Sequence, residues 1–443
     1  MTELIFSFDT EDFTSNRAAD AIYREAKIFE EEGVRGCFCI VGLLADQLVS
    51  WSRTDVLEAL SHHEINTHSY GHSLHPVVDE YTDIENACEA IDRVVAQERL
   101  CLEKIRKATG AQRICAAVLG GNQNSYAAKY AYHKLGLPIY AGSHCDTADG
   151  EGTYYCNIYN IAYVASMEGS FFDGDEADIA KLLDRMATRK RAVIYTHPNM
   201  AVCKEWWDKL NYEKENPKQF GSFLQSPEHP MEVSERFYGN IRRLLRMVKA
   251  DPRFKITTYG EVADRLQKEG ARVVKHGDIP VIAAHLSASF ENIRTPVSLS
   301  ISDVMLACCD LLQGKAEHVC GDVYGFLDTP YAIEAPVTLC AADIRASAQH
   351  IKDDTFLPTA IKVGGIDIGP ADWLFAALEV LMGKESVTLT PREQLPSLAV
   401  IPNVQKGYKG RWKGTWMYSD SFEDAYLSER LRLQIWTLRF ANL

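Results

Sequence analysis

The stretch ELIFSFDTEDFTSNRAADAIYREAKIFEEEGVRGCFCIVG, residues 3–42, decides the reading of the fold. ELIFSF is a short apolar run, as a buried strand makes. In SNRAADAIYREAKIFEEEG, the residues Ala18, Ala21, Ile22, Ala26 and Phe29 share one helical face. Thr14 or Ser15 caps its start and Gly33 ends it. VRGCFCIVG is then a second strand. Strand, helix, strand is the unit of a parallel sheet with helices outside.

Outward from there the alternation continues. DVLEALSHH, AAKYAYHKLG, DIAKLLDRMATRK and VSERFYGNIRRLLRMVKA read as helices, while EIN, ICAAVLGG, LPIYAGS and RAVIYTHP read as strands. FKITTYGEVADRLQKEG adds a last strand and helix. About seven strands in residues 1–272 predict an α/β chain folded as a distorted, incomplete (β/α) barrel, whose reactive residues belong at the C-terminal strand ends. The pattern then changes. SISDVMLACCDLL, AADIRASAQHIK and PADWLFAALEVLM are amphipathic, so residues 273–385 are expected to form a small helical domain. The tail, 386–443, carries WKGTWMY and RLQIWTLRF and is expected to pack its aromatics on the rest.

Composition narrows the classes. The 443 residues exceed what one core usually serves, and 46% apolar content suffices for real cores. Against 61 acidic residues stand 47 Lys and Arg, a net charge of −14, which argues against nucleic acid as a partner. The twelve cysteines form no paired CxxC sets. Cys37, Cys39, Cys308 and Cys309 lie inside apolar runs, as small buried hydrophobes do. With no leader-like segment before MTELIFSF, the expectation is a reducing, cytoplasmic setting, although a chain trimmed of its leader reads the same. No run of 18 apolar residues predicts a membrane span. Nothing in the sequence speaks to oligomeric state.

Three strand ends carry chemistry: FSFDTEDF (6–13), HHEINTHSYGH (62–72) and VIYTHPNM (193–200). Two imidazoles and a carboxylate make a three-ligand metal site with open positions. Such a metal activates water and polarises a carbonyl, while a second carboxylate takes a proton and a further histidine gives one to the leaving group. This assigns Asp12, His68 and His72 as ligands, Asp9 as base and His197 as acid, a set for amide or ester hydrolysis. The four-residue spacing of His68 and His72 suits one metal if the segment makes a helical turn. Each part has an ordinary structural reading. Acidic residues before a helix are usually caps, His62 and His63 suit packing or surface positions, His75 a loop, and His197 a hydrogen-bonded core position. Their joint placement at strand ends favours a site.

In this order the motifs resemble the NodB-like polysaccharide deacetylases, the carbohydrate esterase family 4 type. GCFCIVG is similar to that family's second strand, HHEINTHSYGH to its metal-binding stretch, and IYTH to its late strand ending in histidine; the likeness covers residues 3–270. The resemblance implies a distorted barrel and one divalent transition metal, zinc first, with cobalt or nickel as alternatives. It also implies an acetylated polysaccharide or glycan as substrate, losing N- or O-acetyl groups. It implies Asp9 as base, His68 and His72 as ligands and His197 as acid. D-T-E-D replaces the family's adjacent aspartates, so the carboxylate ligand is Asp12 or Glu11, with Asp12 favoured and Glu11 otherwise beside the substrate. The family's Arg-Pro motif has no match; GGNQNS stands there, offering Asn122 and Asn124, of which Asn122 is the candidate substrate contact. The aspartate that orients the family's acid histidine has no clear counterpart, Asp146 and Asp173 being the candidates. LCAADIRASAQHIKDDTFLPTAIKVGGIDIGPADWLFAALEVL resembles pseudomurein-binding-type repeats, which implies cell-wall association; a helical cap on the barrel is the structural alternative.

Two other functions remain open at this point. Related barrels hydrolyse small cyclic amides such as allantoin, which the missing arginine motif and cytosolic character suit. A glycan-binding protein without turnover would use the pairs Trp206–Trp207 and Trp412–Trp416, whose ordinary role is packing.

Overall fold

The computed structural model describes residues 1–142, 150–294, 297–396 and 416–441. They fall into two units. The first holds 1–152 and 158–267 together with 416–425 of the tail; the second holds 153–157, 268–396 and 426–441.

Nine strands build the sheet of the first unit: β1 (Thr2–Thr10), β2 (Cys37–Ile40), β3 (Glu64–Thr67), β4 (Ala116–Val118), β5 (Ile139–Ala141), β6 (Ile158–Ile161), β7 (Tyr163–Ser166), β8 (Arg191–Thr196) and β9 (Phe254–Ile256). Every pairing is parallel, in the order β6-β5-β4-β3-β2-β1-β8-β7, with β9 beside the first residues of β1. Only Ala162 separates β6 from β7, yet they pair at opposite ends of this order. The sheet must therefore curl until one continuous segment serves both edges. Seven strands were expected; the two added are β6 and β7. Sheets covered on both faces need apolar runs rather than alternation, and CFCI of β2 is buried throughout. Helix α1 (Asn16–Glu31) starts at Ser15, whose side chain accepts from the Arg17 N–H. It lays Ala18, Ala21, Ile22, Ala26 and Phe29 inward, and Phe29 meets Phe6 and Phe8 edge-on at 5.2 and 4.9 Å.

Register sets the site. Thr10 pairs with Ile40 and Ile40 with Thr67, so Glu11 and His68 leave the sheet one residue past the same rung. Phe8 pairs with Thr196, which places Asp9 level with His197.

The second unit is not simply helical. Helices at Ile279–Ala288, Ile301–Leu312, Ala341–Ser347, Pro370–Leu381 and Leu427–Leu433 are joined by antiparallel ladders. These pair Val273–Lys275 with Glu317–Val319, Val337–Cys340 with Ser386–Leu389, and Ile361–Val363 with Ile366–Ile368. Strands of three or four residues are too short to show a period in sequence, and in the first two ladders the partners lie far along the chain, while the third is a local hairpin across Gly364 and Gly365. Their alternation is visible only in pairing: Leu339 and Val387 are buried while Thr338 and Thr388 meet outside at 2.9 Å. No helix of the described residues is long and apolar enough to cross a membrane.

Candidate active site

At the C-terminal ends of β1 and β3, the side chains of Glu11, His68 and His72 converge. Their ligand-type atoms lie within 4.8 Å of one another, and all three residues are buried. Glu11 Oε2 sits 2.8 Å from His72 Nε2 and 3.3 Å from His68 Nε2. Its other oxygen accepts the indole N–H of Trp207 at 2.9 Å. Burial pushes the Glu11 carboxyl up, but His72, His197 and the imidazole hydrogen bonds outweigh it and hold it well below the usual carboxylate range.

The loop after β3 is a bend rather than the expected helical turn. Ser69 and His72 take left-handed backbone angles, φ 67° and 51°, and Gly42 and Leu43 donate backbone N–H groups to the carbonyls of Ser69 and Tyr70. The fold-back, not helical spacing, faces the two rings toward one point, 5.0 Å between centroids. Proton inventory assigns the role of His72 Nδ1. Ser73 has a single hydroxyl proton, directed at Asp208 Oδ2 at 3.0 Å. His72 Nδ1, 2.6 Å from Ser73 Oγ, must then donate to that oxygen. With Nδ1 so engaged, Nε2 is the nitrogen turned to Glu11 and the one a metal would take, as in metal-binding histidines. His68 Nδ1 is buried without a partner among the described residues. Two imidazole nitrogens and one carboxylate oxygen suit zinc or a similar transition metal. Gly120, just past β4, closes this side: a Cβ there would stand 2.2 Å from His72 Cδ2.

Across from this cluster, His197 Nε2 lies 3.7 Å from Asp9 Oδ2. Glu168 Oε1 accepts from both His197 Nδ1, at 2.6 Å, and the His197 backbone N–H, at 2.9 Å. Burial pulls the imidazolium down, yet Glu168, then Glu11 and Asp9, raise it to about 10. Tyr163 donates its phenolic O–H to Asp9 Oδ1; burial and then the Asp9 charge push that phenol well up, so it stays a donor. Tyr195 stacks on Tyr163 at 4.5 Å, and Trp206 meets His197 edge-on at 4.6 Å. Asp9, His68, Tyr163, Tyr195 and His197 help line a cavity of about 80 Å³.

The structure thus joins Asp9, Glu11, His68, His72 and His197, and leaves out Asp12. Asp12 Oδ1 accepts the backbone N–H and the hydroxyl of Thr14, at 2.8 and 2.7 Å. Burial pushes this carboxyl up to about 7 against those hydrogen bonds. This placement has a geometric reason: strand side chains alternate, and one step past Thr10 the chain aims Glu11 at the histidines while Asp12 turns to Thr14 ahead of α1. Asn122 falls in the turn Gly120–Asn122, its side chain outside the described residues. Asp146 and Trp412 also lie outside them. Asp173 is exposed, 3.8 Å from Arg236; the group orienting His197 is Glu168. Trp207 is buried against Phe13 at 4.8 Å and serves Glu11. Sequence reading missed Glu168, Tyr163, Ser73 and Asp208. The run NIYNIAYVAS (157–166), rich in aromatic and β-branched residues, was the available signal for the strand carrying Tyr163 and leading to Glu168.

No family model matches the chain, the pseudomurein-binding type included, and no curated protein matches it. Among solved structures it is similar to a "putative polysaccharide deacetylase" from Mycobacterium smegmatis: 14% identity, TM-score 0.39, 61% of this chain and 92% of that one. A family 4 carbohydrate esterase from Streptomyces lividans gives 13% identity, TM-score 0.32, and coverage of 57% and 90%. A CE4 family pseudoenzyme from Bacillus anthracis gives 11%, 0.34, and coverage of 59% and 64%. At such values the likeness assigns neither the fold nor the function of this chain.

Proposed function

We propose that this protein is a hydrolase that removes acetyl groups, N- or O-linked, from a polysaccharide or glycoconjugate. In this reading Glu11, His68 and His72 hold one divalent transition metal, zinc foremost. The carrying observation is the convergence of those three side chains at strand ends, facing Asp9 and the Glu168-held His197 across a small cavity. When bound, such a metal lowers the pKa of water and polarises a carbonyl oxygen. Asp9 stands beside this cluster as the base that takes the water's proton. His197, cationic at neutral pH, gives its Nε2 proton to the departing amine or alcohol. Trp206 and Tyr195 wall His197 off, and the cavity admits an acyl group of a few heavy atoms, which suits acetyl. The resemblance of HHEINTHSYGH to the NodB-like metal stretch supports the same reading.

The test is metal content and acetate release from acetylated xylan and N-acetylated chitooligosaccharides, with His68→Ala and His72→Ala beside the parent chain. Stoichiometric metal retained by both variants rejects the site. Turnover confined to small cyclic amides rejects the sugar substrate, and glycan binding without turnover at any metal loading rejects the enzyme.

A further inference from the structure

Glu25 is the anomaly of α1. It lies on the inward face, fully buried, and both its carboxyl oxygens lack a partner among the described residues. Helix α1 packs against the turn Pro198–Ala201 that directly follows His197. Two more buried groups flanking His197 also lack partners, the Thr196 hydroxyl and the Asn199 amide. The charges that act on Glu25 are those of Glu168 and His197, and Glu25 acts in turn on Tyr238 of the helix Met231–Ala250. Arg24, the nearest cation on its own helix, is stacked over the Tyr238 ring at 4.2 Å and paired with Glu235.

A buried carboxylate with no cation and no donor is heavily penalised. Burial, then the charge of Glu168, pushes this acid well above its ordinary range, with His197 opposing. A neutral carboxyl carries a proton that needs an acceptor, and the carboxylate whose charge acts on it is Glu168, bonded to His197 just ahead of the turn on which α1 packs. We infer that Glu25 is a neutral acid whose O–H serves Glu168, across a side-chain rotation or one ordered water, making it a positioning residue behind the Glu168–His197 pair. Its consequence is chemical. A donor behind Glu168 draws off part of that carboxylate's charge, so His197 grips its proton less tightly and releases it more readily to a leaving group. The catalytic consequence rests on the function proposed above; the proton coupling does not.

The experiment therefore reads His197 without substrate. Histidine-labelled protein, as isolated, is titrated by NMR, with His197→Gln to assign the resonance. Glu25→Gln keeps a neutral donor of nearly the same size; Glu25→Met fills the space without one. The expected result is that His197 binds its proton roughly 10-fold more tightly in Glu25→Met and about as in the parent chain in Glu25→Gln. Unchanged titration in both variants, with Glu25→Met more thermostable, means a merely unsatisfied core group and overturns the inference. Weaker proton binding in both means that Glu25 was ionised and also overturns it. Absent acetate release with the expected titration leaves the inference standing and removes the deacetylase reading.

Discussion

The phenolic O–H of Tyr163 donates to Asp9 Oδ1 at 2.7 Å, while Asp9 Oδ2 is left facing His197 at 3.7 Å. A neutral tyrosine from β7 thus gives the two Asp9 oxygens different surroundings. Tyr163→Phe removes the hydroxyl and keeps the ring stacked on Tyr195. The expected outcome is a ~10- to 100-fold loss of kcat with KM little changed. Steady-state acetate release checks it, and an undiminished kcat would show that Asp9 needs no anchor.

Metal content separates the two acidic neighbours. Glu11→Ala is expected to lose stoichiometric metal, and Asp12→Asn, which keeps an acceptor for Thr14, to retain it. Elemental analysis after dialysis decides between them. The reverse pattern would restore Asp12 as the ligand.

The Glu168–His197 pair has a pH signature. His197 is raised to about 10 in the fold, so its protonated form is the stabilised one. That stability is complete below the unfolded value of about 6.5 and fades as pH rises through about 10. Glu168→Gln removes the largest upward influence. Its basic limb of kcat/KM should move to lower pH, kcat should fall about 100-fold or more, and the difference in Tm from the parent chain should shrink between pH 7 and 10.

Gly120 and Ser73 hold His72 from opposite sides. Gly120→Ala drives a Cβ into the imidazole, and Ser73→Ala removes the acceptor of its Nδ1–H. Each is expected to weaken metal binding ~10- to 100-fold, read by competition with a chromogenic chelator. Since Gly120→Ala also overpacks the site, its thermal unfolding should show a cost of about 1–3 kcal/mol. Parent-like affinity in both variants would mean that His72 is held by the loop backbone alone.

The sequence by itself determined the alternation that makes the parallel sheet, the apolar faces of its helices, and three strand ends rich in carboxylate and imidazole. Those features are local: a period of 3.6 or an unbroken apolar run is written in neighbouring residues. It also marked Asp9, His68 and His197, because each lies at or just past the end of a strand whose pattern is plain, and His72 by its spacing from His68. Tertiary structure alone decided that Glu11 rather than Asp12 turns to the histidines, since that depends on where the chain leaves the rung after Thr10. It decided that Tyr163, Glu168, Ser73 and Asp208 support the site, because their partners stand between 1 and 154 positions away and no spacing encodes such meetings. It also set the ladders of 273–275 with 317–319 and of 337–340 with 386–389 in the second unit, where pairing across the chain, not local propensity, makes the strand.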